Sequence, residues 1–378
     1  MHLVKITSVR THILHHDLER PFQSSFSTFR ARRHLLVEIE TDTGLTGWGE
    51  CLGPADINAA VVQAMTPQLL GRSPLDIEPI WLDIYNQFRD QGQRGVIHTA
   101  LSGIDIALWD IAGHHFDAPI HQLMGGAWRT SIPAYATGCF RPEGGDHATA
   151  CAKEVAQYVA EGFKAVKIKI GYGVESDLAT IAAVREAIGE DVELMIDANH
   201  GYDAIDAITV GRQAAKYNIH WFEEPVVPEA LRAYQQVRQG QPIPVAAGET
   251  WHGRWAIDEA LQQDTVQILQ PDVCGVGGLS EARKIITLAD IHHVRLVPHV
   301  WGTAVALAAG LHFHAILPPA PPSHEQRSPR LEFDRTYNPF RQEIIQTPIE
   351  HESGMVSVPT GPGLGISINR DALQRYCV

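Results

Sequence analysis

The stretch Leu194-Met195-Ile196-Asp197-Ala198-Asn199-His200 decides how the chain is organised, because an apolar run ends there in an acid. Two further apolar runs also end in acids, at Glu223 and Glu249, each 26 residues after the acid before it. A strand, a helix and two short loops make a repeat of this size, the unit of a (β/α)8 barrel, whose strands all end at one face. Three carboxylates would therefore lie side by side. An oxygen-only ligand set suits Mg²⁺ better than Zn²⁺, so the sequence predicts one magnesium ion held by Asp197, Glu223 and Glu249.

Strand-like and helix-like segments alternate on both sides of this stretch. No Gly-x-Gly-x-x-Gly follows the first strand, which argues against an open dinucleotide-binding sheet. The pattern therefore predicts an α/β fold with a closed barrel over residues 126–344. The predicted strands cover 132–137, 165–170, 192–197, 218–222, 244–248, 265–270, 294–298 and 331–333.

The first 125 residues have strands followed by helices, which predicts a smaller α+β domain over residues 1–125. Residues 35–50 have the pattern of a hairpin with a glycine-containing turn. Residues 21–27, polar and aromatic without periodicity, are predicted to form a mobile loop. The tail, residues 345–378, is not another strand and helix unit, and we expect it to pack back on the first domain.

Composition excludes several classes of partner. The formal charge of −14 and the pI near 5.8 argue against nucleic acid and anionic membranes. The five cysteines are scattered and form no Cys-x-x-Cys pair, which is typical of reduced thiols in the cytoplasm. We also expect no signal peptide and no membrane span. The sequence predicts a cytoplasmic protein.

Two lysines, Lys167 and Lys169, alternate with apolar residues on the second predicted barrel strand, so both point to the same side. Inward cations in a barrel are costly unless they have a function, although a solvated strand end would explain them equally well. Beside the predicted acid cluster the functional explanation is favoured. A lysine near another cation and a metal is expected to have a lowered pKa and to act as a general base.

Beyond Glu249, the regularly spaced residues at predicted strand ends include a second acid/base group. Asp272 follows Glu249 by 23 residues, and His299 ends the seventh predicted strand 27 residues further on. An aspartate beside a histidine can orient the imidazole and raise its basicity. In a barrel the second strand lies roughly opposite the sixth and seventh, so Lys169 and His299 are expected to face one another across the metal. Such a pair suits removal of a proton next to a carboxylate, the chemistry of an enediolate intermediate.

The motifs together resemble those of the enolase superfamily, mandelate racemase subgroup, over essentially the whole chain. The resemblance implies a capping domain before the barrel, Mg²⁺ on the three acids, Lys169 as one acid/base and His299 with Asp272 as the other. It also implies that Glu332 hydrogen-bonds the substrate carboxylate. The matching motifs are Lys167-x-Lys169, Asp197-x-Asn199, Glu223-Glu224-Pro225, Gly248-Glu249-Thr250, Asp272 and His299.

Longer segments resemble the D-galactaro-1,4-lactone cycloisomerase branch of this family, among them 90–95, 197–202, 249–254, 298–303 and 332–335. The branch implies abstraction of the proton α to a carboxylate by Lys169 or His299, and opening of a lactone ring to a 3-deoxy-2-keto hexarate. The family resemblance also implies an even-numbered homo-oligomer, such as an octamer. Candidate substrate contacts are Asn199, His200, Trp251, Trp301 and Phe22, the last in the loop expected to cover the barrel mouth.

Other activities remain open from sequence. An acid-sugar dehydratase would use the same base and metal but expel a hydroxyl, and a racemase or epimerase would return the proton. A zinc hydrolase would need a His-x-His at the end of the first barrel strand, where Ala136-Thr137-Gly138 stands instead. A barrel that binds sugars without catalysis would lack part of the lysine, carboxylate and histidine set, and no part is missing.

Overall fold

The computed structural model of the protein describes residues 4–142, 144, 146–321, 324 and 328–378. Its first part is an antiparallel sheet with helices packed on one side. The sheet order is β3 (Thr46–Cys51), β2 (Thr28–Thr41), β1 (Ile6–Gln23) and β5 (Arg141–Pro142), so a short strand from the barrel region joins its edge. The helices are α1 (Ala55–Met65), α2 (Ile77–Phe88), α3 (Val96–Phe116) and α4 (Ile120–Leu123).

Glycines let the sheet and its longest helix approach closely. A Cβ on Gly49 would lie 1.9 Å from the carbonyl oxygen of Gly103, and one on Gly47 would lie 2.1 Å from that of Ala107. Strand β3 therefore rests directly on the backbone of α3. By length and composition α3 could cross a membrane, but 89% of its apolar window is buried inside the protein, as in a core helix.

The second part alternates strands and helices as the sequence predicts. Its strands are short, two to seven residues, and each predicted barrel strand overlaps an observed one. The elements are β4 (Ser131–Thr137), β5 (Arg141–Pro142), α5 (His147–Ala160), β6 (Ala165–Lys169), α6 (Val174–Ile188), β7 (Glu193–Asp197), α7 (Ala204–Ala214), β8 (Ile219–Glu223), α8 (Leu231–Gly240), β9 (Val245–Ala247), α9 (Gly253–Gln262), β10 (Ile268–Leu269), α10 (Gly278–Ile291), β11 (Arg295–Leu296), α11 (Ala304–Ile316), β12 (Leu331–Asp334) and α12 (Pro339–Gln342).

Eight parallel strands form the barrel, with β12 pairing back onto β4. The hydrogen-bonded path runs β11-β10-β9-β8-β7-β6-β4-β12. A separate cluster of buried side chains fills the interior, with one residue from most strands, as in a packed barrel core. The cluster consists of Tyr135, Ala165, Met195, Trp221, Ala246, Ile268 and Val297.

The tail returns to both parts of the chain. It contains β13 (His351–Glu352), β14 (Met355–Ser357) and α13 (Arg370–Tyr376). Strand β14 pairs antiparallel with the start of β4. At the end of the chain the amide of Val378 donates to the carbonyl of Ile13 on β1 at 3.0 Å.

The prediction of a loop over residues 21–27 is wrong for its first three residues. Strand β1 continues to Gln23, and only residues 24–27 connect it to β2. The strand extends because Phe22 pairs with Phe29 on β2 and with Pro142 on β5, and its ring packs against those of Phe29 and Phe140.

Candidate active site

The three predicted metal ligands lie at neighbouring strand ends. Asp197 is the last residue of β7 and stands opposite Glu223, the last residue of β8, in the ladder between these strands. Glu249 follows β9, the next strand. Asp197 and Glu223 are fully buried, and the Glu249 side chain is 17% exposed. The stride in the sequence therefore brings the carboxylates to one side of the barrel mouth.

Two lysines of β6 lie against these acids. Lys167 Nζ is 2.5 Å from Glu223 Oε1, 2.8 Å from Glu332 Oε1 and 3.8 Å from Asp197 Oδ2. Lys169 Nζ donates to Asp197 Oδ2. Burial alone would lower the pKa of Lys169, but the negative charge of Asp197 is the largest of the effects that outweigh burial, and the pKa is raised. The protein's own groups thus raise the pKa of Lys169, whereas the lowering expected from sequence depends on the proposed metal ion.

The histidine and aspartate form the expected dyad. His299 Nδ1 is 2.6 Å from Asp272 Oδ2, and its Nε2 is 3.3 Å from Glu249 Oε2. Burial would lower the pKa of His299, yet the charges of Glu249 and Glu332 and the hydrogen bond to Asp272 raise it to about 10. The direction agrees with the raised basicity that the sequence predicts.

Glu332 lies between the two sets of groups. It is on β12, with Oε1 on Lys167 and Oε2 3.8 Å from His299 Nε2. The amide of Val300 also donates to Oε2, at 3.3 Å. Burial would raise the pKa of Glu332, but Lys167, His299 and Lys169 outweigh burial and lower it. The last barrel strand therefore places an ionised carboxylate at the centre of the mouth.

The chemistry of these donors fits a magnesium ion. Burial and the negative charges of Asp197, Glu332 and Glu249 outweigh Lys167 and raise the pKa of Glu223 to about 7, and a divalent cation among these oxygen ligands would relieve that repulsion. Within the described residues no group of three His, Cys, Asp or Glu side chains already stands in metal-binding geometry. The two ammonium groups occupy oxygens of Asp197 and Glu223, where a metal ion would compete with them.

The predicted substrate contacts fall into two groups. Asn199 and His200 follow β7, both with positive φ (40° and 69°), and the buried Oδ1 of Asn199 has no hydrogen-bond partner. His200 Nε2 is 3.3 Å from Glu224 Oε2. The hydroxyl of Ser25, in the loop after β1, donates to the carbonyl of Asn199 at 2.6 Å, so the first domain touches this turn.

Two of the aromatic candidates, Phe22 and Trp301, pack against the ring of Phe140, which lies beside Lys169. Trp301, two residues after His299, packs against Phe140, with 5.4 Å between ring centroids, and Phe22 lies 4.6 Å from the same ring. Lys169 Nζ is 5.1 Å from the centroid of Phe140. Trp251 is instead buried, and its Nε1 donates to the carbonyl of Pro228 at 3.1 Å.

Sequence reasoning missed several residues that hold this site. Gln270 Nε2 and Trp221 Nε1 both donate to Glu223 Oε2, at 2.7 and 2.9 Å. Lys167 Nζ is 5.3 Å from the ring centroid of Tyr135. Gln270 directly follows strand β10 and lies two residues before Asp272. This position next to a predicted site residue is the one sequence signal that could have identified it.

Comparison with known proteins identifies relatives over the whole chain. Residues 7–125 match the mandelate racemase / muconate lactonizing enzyme N-terminal domain, and residues 150–372 match the enolase C-terminal domain-like family. The chain is 59% identical over 373 residues to D-galactarolactone cycloisomerase of Agrobacterium fabrum, covering 99% of each. It is 35% identical to arabinonate dehydratase of Saccharolobus solfataricus, over 90% of this chain and 89% of that protein. The crystal structure of 3,6-anhydro-D-galactonate cycloisomerase from Zobellia galactanivorans matches with a TM-score of 0.90 at 38% identity, covering 99% of both chains.

Proposed function

Because the chain belongs to the mandelate racemase and muconate lactonizing enzyme group of the enolase superfamily, we propose that this enzyme opens the ring of D-galactaro-1,4-lactone to a 3-deoxy-2-keto hexarate. The observation that supports the chemistry best is that Lys169 ends the second barrel strand and pairs with Asp197, while His299 follows the seventh strand and lies 3.8 Å from Glu332. The choice of substrate rests on the 59% identity with a D-galactarolactone cycloisomerase.

The reaction needs a base and a group that returns a proton. Either Lys169 or His299, once deprotonated, takes the proton from the carbon next to the free carboxylate, and the C–H electrons pass into an enediolate. Asp272 holds the His299 ring through Nδ1, so that Nε2 points to the substrate. Lys167, held protonated by Glu223 and Glu332, supplies a fixed positive charge near the substrate carboxylate.

The leaving group distinguishes this reaction from a dehydration. The enediolate electrons form a C=C bond as the C–O bond of the neighbouring ring carbon breaks, and the ring oxygen departs as part of a carboxylate. A carboxylate leaves without being protonated, whereas a hydroxyl must receive a proton as it leaves. The second acid/base group then protonates carbon as the enol becomes the ketone, and no water is added or lost.

We propose that Asp197, Glu223 and Glu249 hold one Mg²⁺ per subunit. When bound, this ion would stabilise the negative charge that develops on the substrate carboxylate. Trp221 and Gln270 fill one oxygen of Glu223, which leaves Oε1, shared with Lys167, as the oxygen able to reach a ligand. Asn199, His200, Trp301 and Phe22 are proposed to contact the substrate.

The larger organisation is proposed on the same basis. Residues 1–125 with the tail 345–378 would form the capping domain, and residues 126–344 the barrel. The enzyme would act in the cytoplasm as an even-numbered homo-oligomer. All five cysteines are free thiols, which suits a reducing compartment.

Proton NMR in D₂O tests the activity directly. The purified protein with Mg²⁺ is offered D-galactaro-1,4-lactone, open-chain galactarate and glucarate in separate tubes. We expect the lactone alone to disappear, with a deuterated 3-deoxy-2-keto acid as product. A tube of lactone with Mg²⁺ and no protein corrects for spontaneous hydrolysis, which yields only the open-chain acid.

Two other outcomes would change the assignment. Consumption of an open-chain acid alone would indicate a dehydratase, the activity named for the Saccharolobus relative. Exchange of the α-proton without elimination would indicate an epimerase.

A further inference from the structure

We propose that Arg32 of the first domain is a positioning residue that fastens this domain to the two barrel loops next to His299 and Glu332. The role rests on the proposed function, because those loops carry the proposed acid/base and carboxylate-binding groups. Arg32 stands on β2 in the run Arg30-Ala31-Arg32-Arg33 and is 2% exposed. A buried guanidinium is costly unless its hydrogen bonds are filled.

All the hydrogen-bond partners found for Arg32 come from one segment of the barrel. Its Nε donates to the carbonyl of Tyr337 at 3.0 Å, and its Nη2 donates to Asp334 Oδ2 at 3.2 Å and to the hydroxyl of Thr336. The Asp334 side chain is 1% exposed, so this is a buried ion pair. The segment begins two residues after Glu332, on the same strand. Arg32 therefore fixes the loop that follows the central carboxylate.

The flat face of the same guanidinium contacts a second segment. Its central carbon lies 4.7 Å from the ring centroid of Trp301 and 5.3 Å from that of Phe22. Trp301 follows His299 by two residues. Cation–π contacts of this kind are favoured by arginine over lysine, because the guanidinium is planar and weakly hydrated.

These contacts extend to the second acid/base group through an aromatic wall, which we define as Phe22, Phe29, Phe140 and Trp301. The centroid separations within the wall are 4.6 to 6.1 Å. At its far side Phe140 lies beside Lys169. Arg32 thus contacts an aromatic wall that lies beside Lys169 at Phe140 and includes Trp301, two residues after His299.

The test needs a variant that folds without the contact. Arg32→Met alone leaves Asp334 buried and unpaired, which is strongly destabilising. The double variant Arg32→Met with Asp334→Asn removes both charges and keeps the volume of both side chains. Arg33→Met is the matched control, because Arg33 points to the other face of β2, is 37% exposed and pairs with Asp56 inside the first domain.

We expect the double variant to fold and to lower kcat for the lactone by about tenfold to a hundredfold, since small misplacements of reacting groups have effects of this size. Arg32→Lys should fall between this variant and the unsubstituted protein. Hydrogen exchange of backbone amides in residues 300–303 and 334–337 should be faster in the double variant and unchanged in Arg33→Met.

The outcomes separate the positioning role from the proposed reaction. A folded double variant with unchanged kcat and unchanged amide exchange would overturn the role of Arg32, as would a loss of thermal stability with normal kinetics. If the unsubstituted protein leaves the lactone untouched, the proposed reaction fails, and the amide exchange of the two segments then decides whether Arg32 fastens them.

Discussion

Buried carboxylates occur at the barrel mouth and at the junction between the first domain and the barrel helices, and the two regions stabilise them differently. At the mouth, burial raises the pKa of Asp197, but Lys169 and Lys167 outweigh burial and the pKa is lowered. At the junction, burial dominates and raises the pKa of Asp105 on α3 to about 7 and that of Asp110 to about 6.

The hydrogen-bond partners of these acids explain why their pKa values shift in opposite directions. Asp105 Oδ2 accepts from the amide of Ser280 at 3.0 Å, in the first turn of α10, and Asp110 accepts from the amides of Trp48 and Leu364. Backbone amides bring partial charges, whereas an ammonium brings a full one, so the two lysines offset the cost of burying ionised Asp197, although burial still raises the pKa of its neighbour Glu223 to about 7. At the mouth, ammonium groups thus hold Asp197 ionised, whereas at the junction backbone donors bind Asp105 and Asp110 and hold parts of the chain together.

Removing one cation from the mouth should have the largest effect. We expect Lys169→Ala and His299→Ala each to fold and bind Mg²⁺ and to lose about 10²- to 10⁴-fold in turnover, the usual contribution of a general acid or base. The variant that lacks the base should also lose α-proton exchange in D₂O, and the other should retain it. Proton NMR of the lactone measures both rates.

The control for this pair is Lys164→Ala, which removes an exposed ammonium near the opposite end of the same strand. It should retain normal turnover. Full turnover in either Lys169→Ala or His299→Ala would mean that the residue has no acid/base role.

The contrast between the two regions also explains what the sequence could predict. The mouth acids each end an apolar strand at a regular stride, so the sequence alone locates Asp197 and Glu223, and the barrel with them. Asp105 and Asp110 stand on a helix among apolar residues without such a signal. The partner of Asp105 lies 175 residues away, and only the tertiary packing brings it close.

Arg32 was missed for a related reason. Three arginines occur within four residues, Arg30, Arg32 and Arg33, and composition cannot tell which one is buried. The extension of strand β1 beyond residue 20 was not predicted either, because its pairing with the distant strand β5 has no local signal in the sequence. Strand ends are visible in sequence, whereas contacts between distant segments are not.

At the junction, removing an acceptor should cost stability rather than chemistry. Glu50 accepts from the amide of Thr303 at 3.0 Å, from its hydroxyl at 2.6 Å and from the amide of Ala306 at 2.9 Å, at the start of α11. Glu50→Ala leaves these buried donors unpaired, and we expect it to lower the free energy of unfolding by about 3 kcal/mol. Urea unfolding measures this loss.

The control is Glu40→Ala, on the neighbouring strand, where the glutamate pairs with Arg10 at the surface. Such exposed pairs contribute about 1 kcal/mol or less. Equal losses in the two variants would mean that Glu50 does not stabilise the start of α11.

An effect that is smaller for each pH unit should appear in the pH dependence of the junction. Because the pKa of Asp105 is raised to about 7 in the folded protein, the folded state binds more protons than the unfolded state between about pH 4 and pH 7. The contribution of Asp105 to stability is therefore complete below pH 4 and is lost as the pH rises to 7, by at most about 1.4 kcal/mol per pH unit. Gly278 lets the start of α10 approach the carboxyl closely, since a Cβ there would lie 2.3 Å from Asp105 Oδ2.

Asp105→Asn keeps an oxygen to accept from Ser280 and cannot ionise, so it mimics the protonated acid. We expect its free energy of unfolding, measured in urea from pH 4 to pH 8, to rise relative to that of the unsubstituted protein until pH 7 and then to stay level. Asp290→Asn, at an exposed position of α10, controls for the loss of a carboxyl from this region. A difference that stays constant over this range would mean that Asp105 is ionised in the folded protein, and that the junction, like the mouth, stabilises a buried charge.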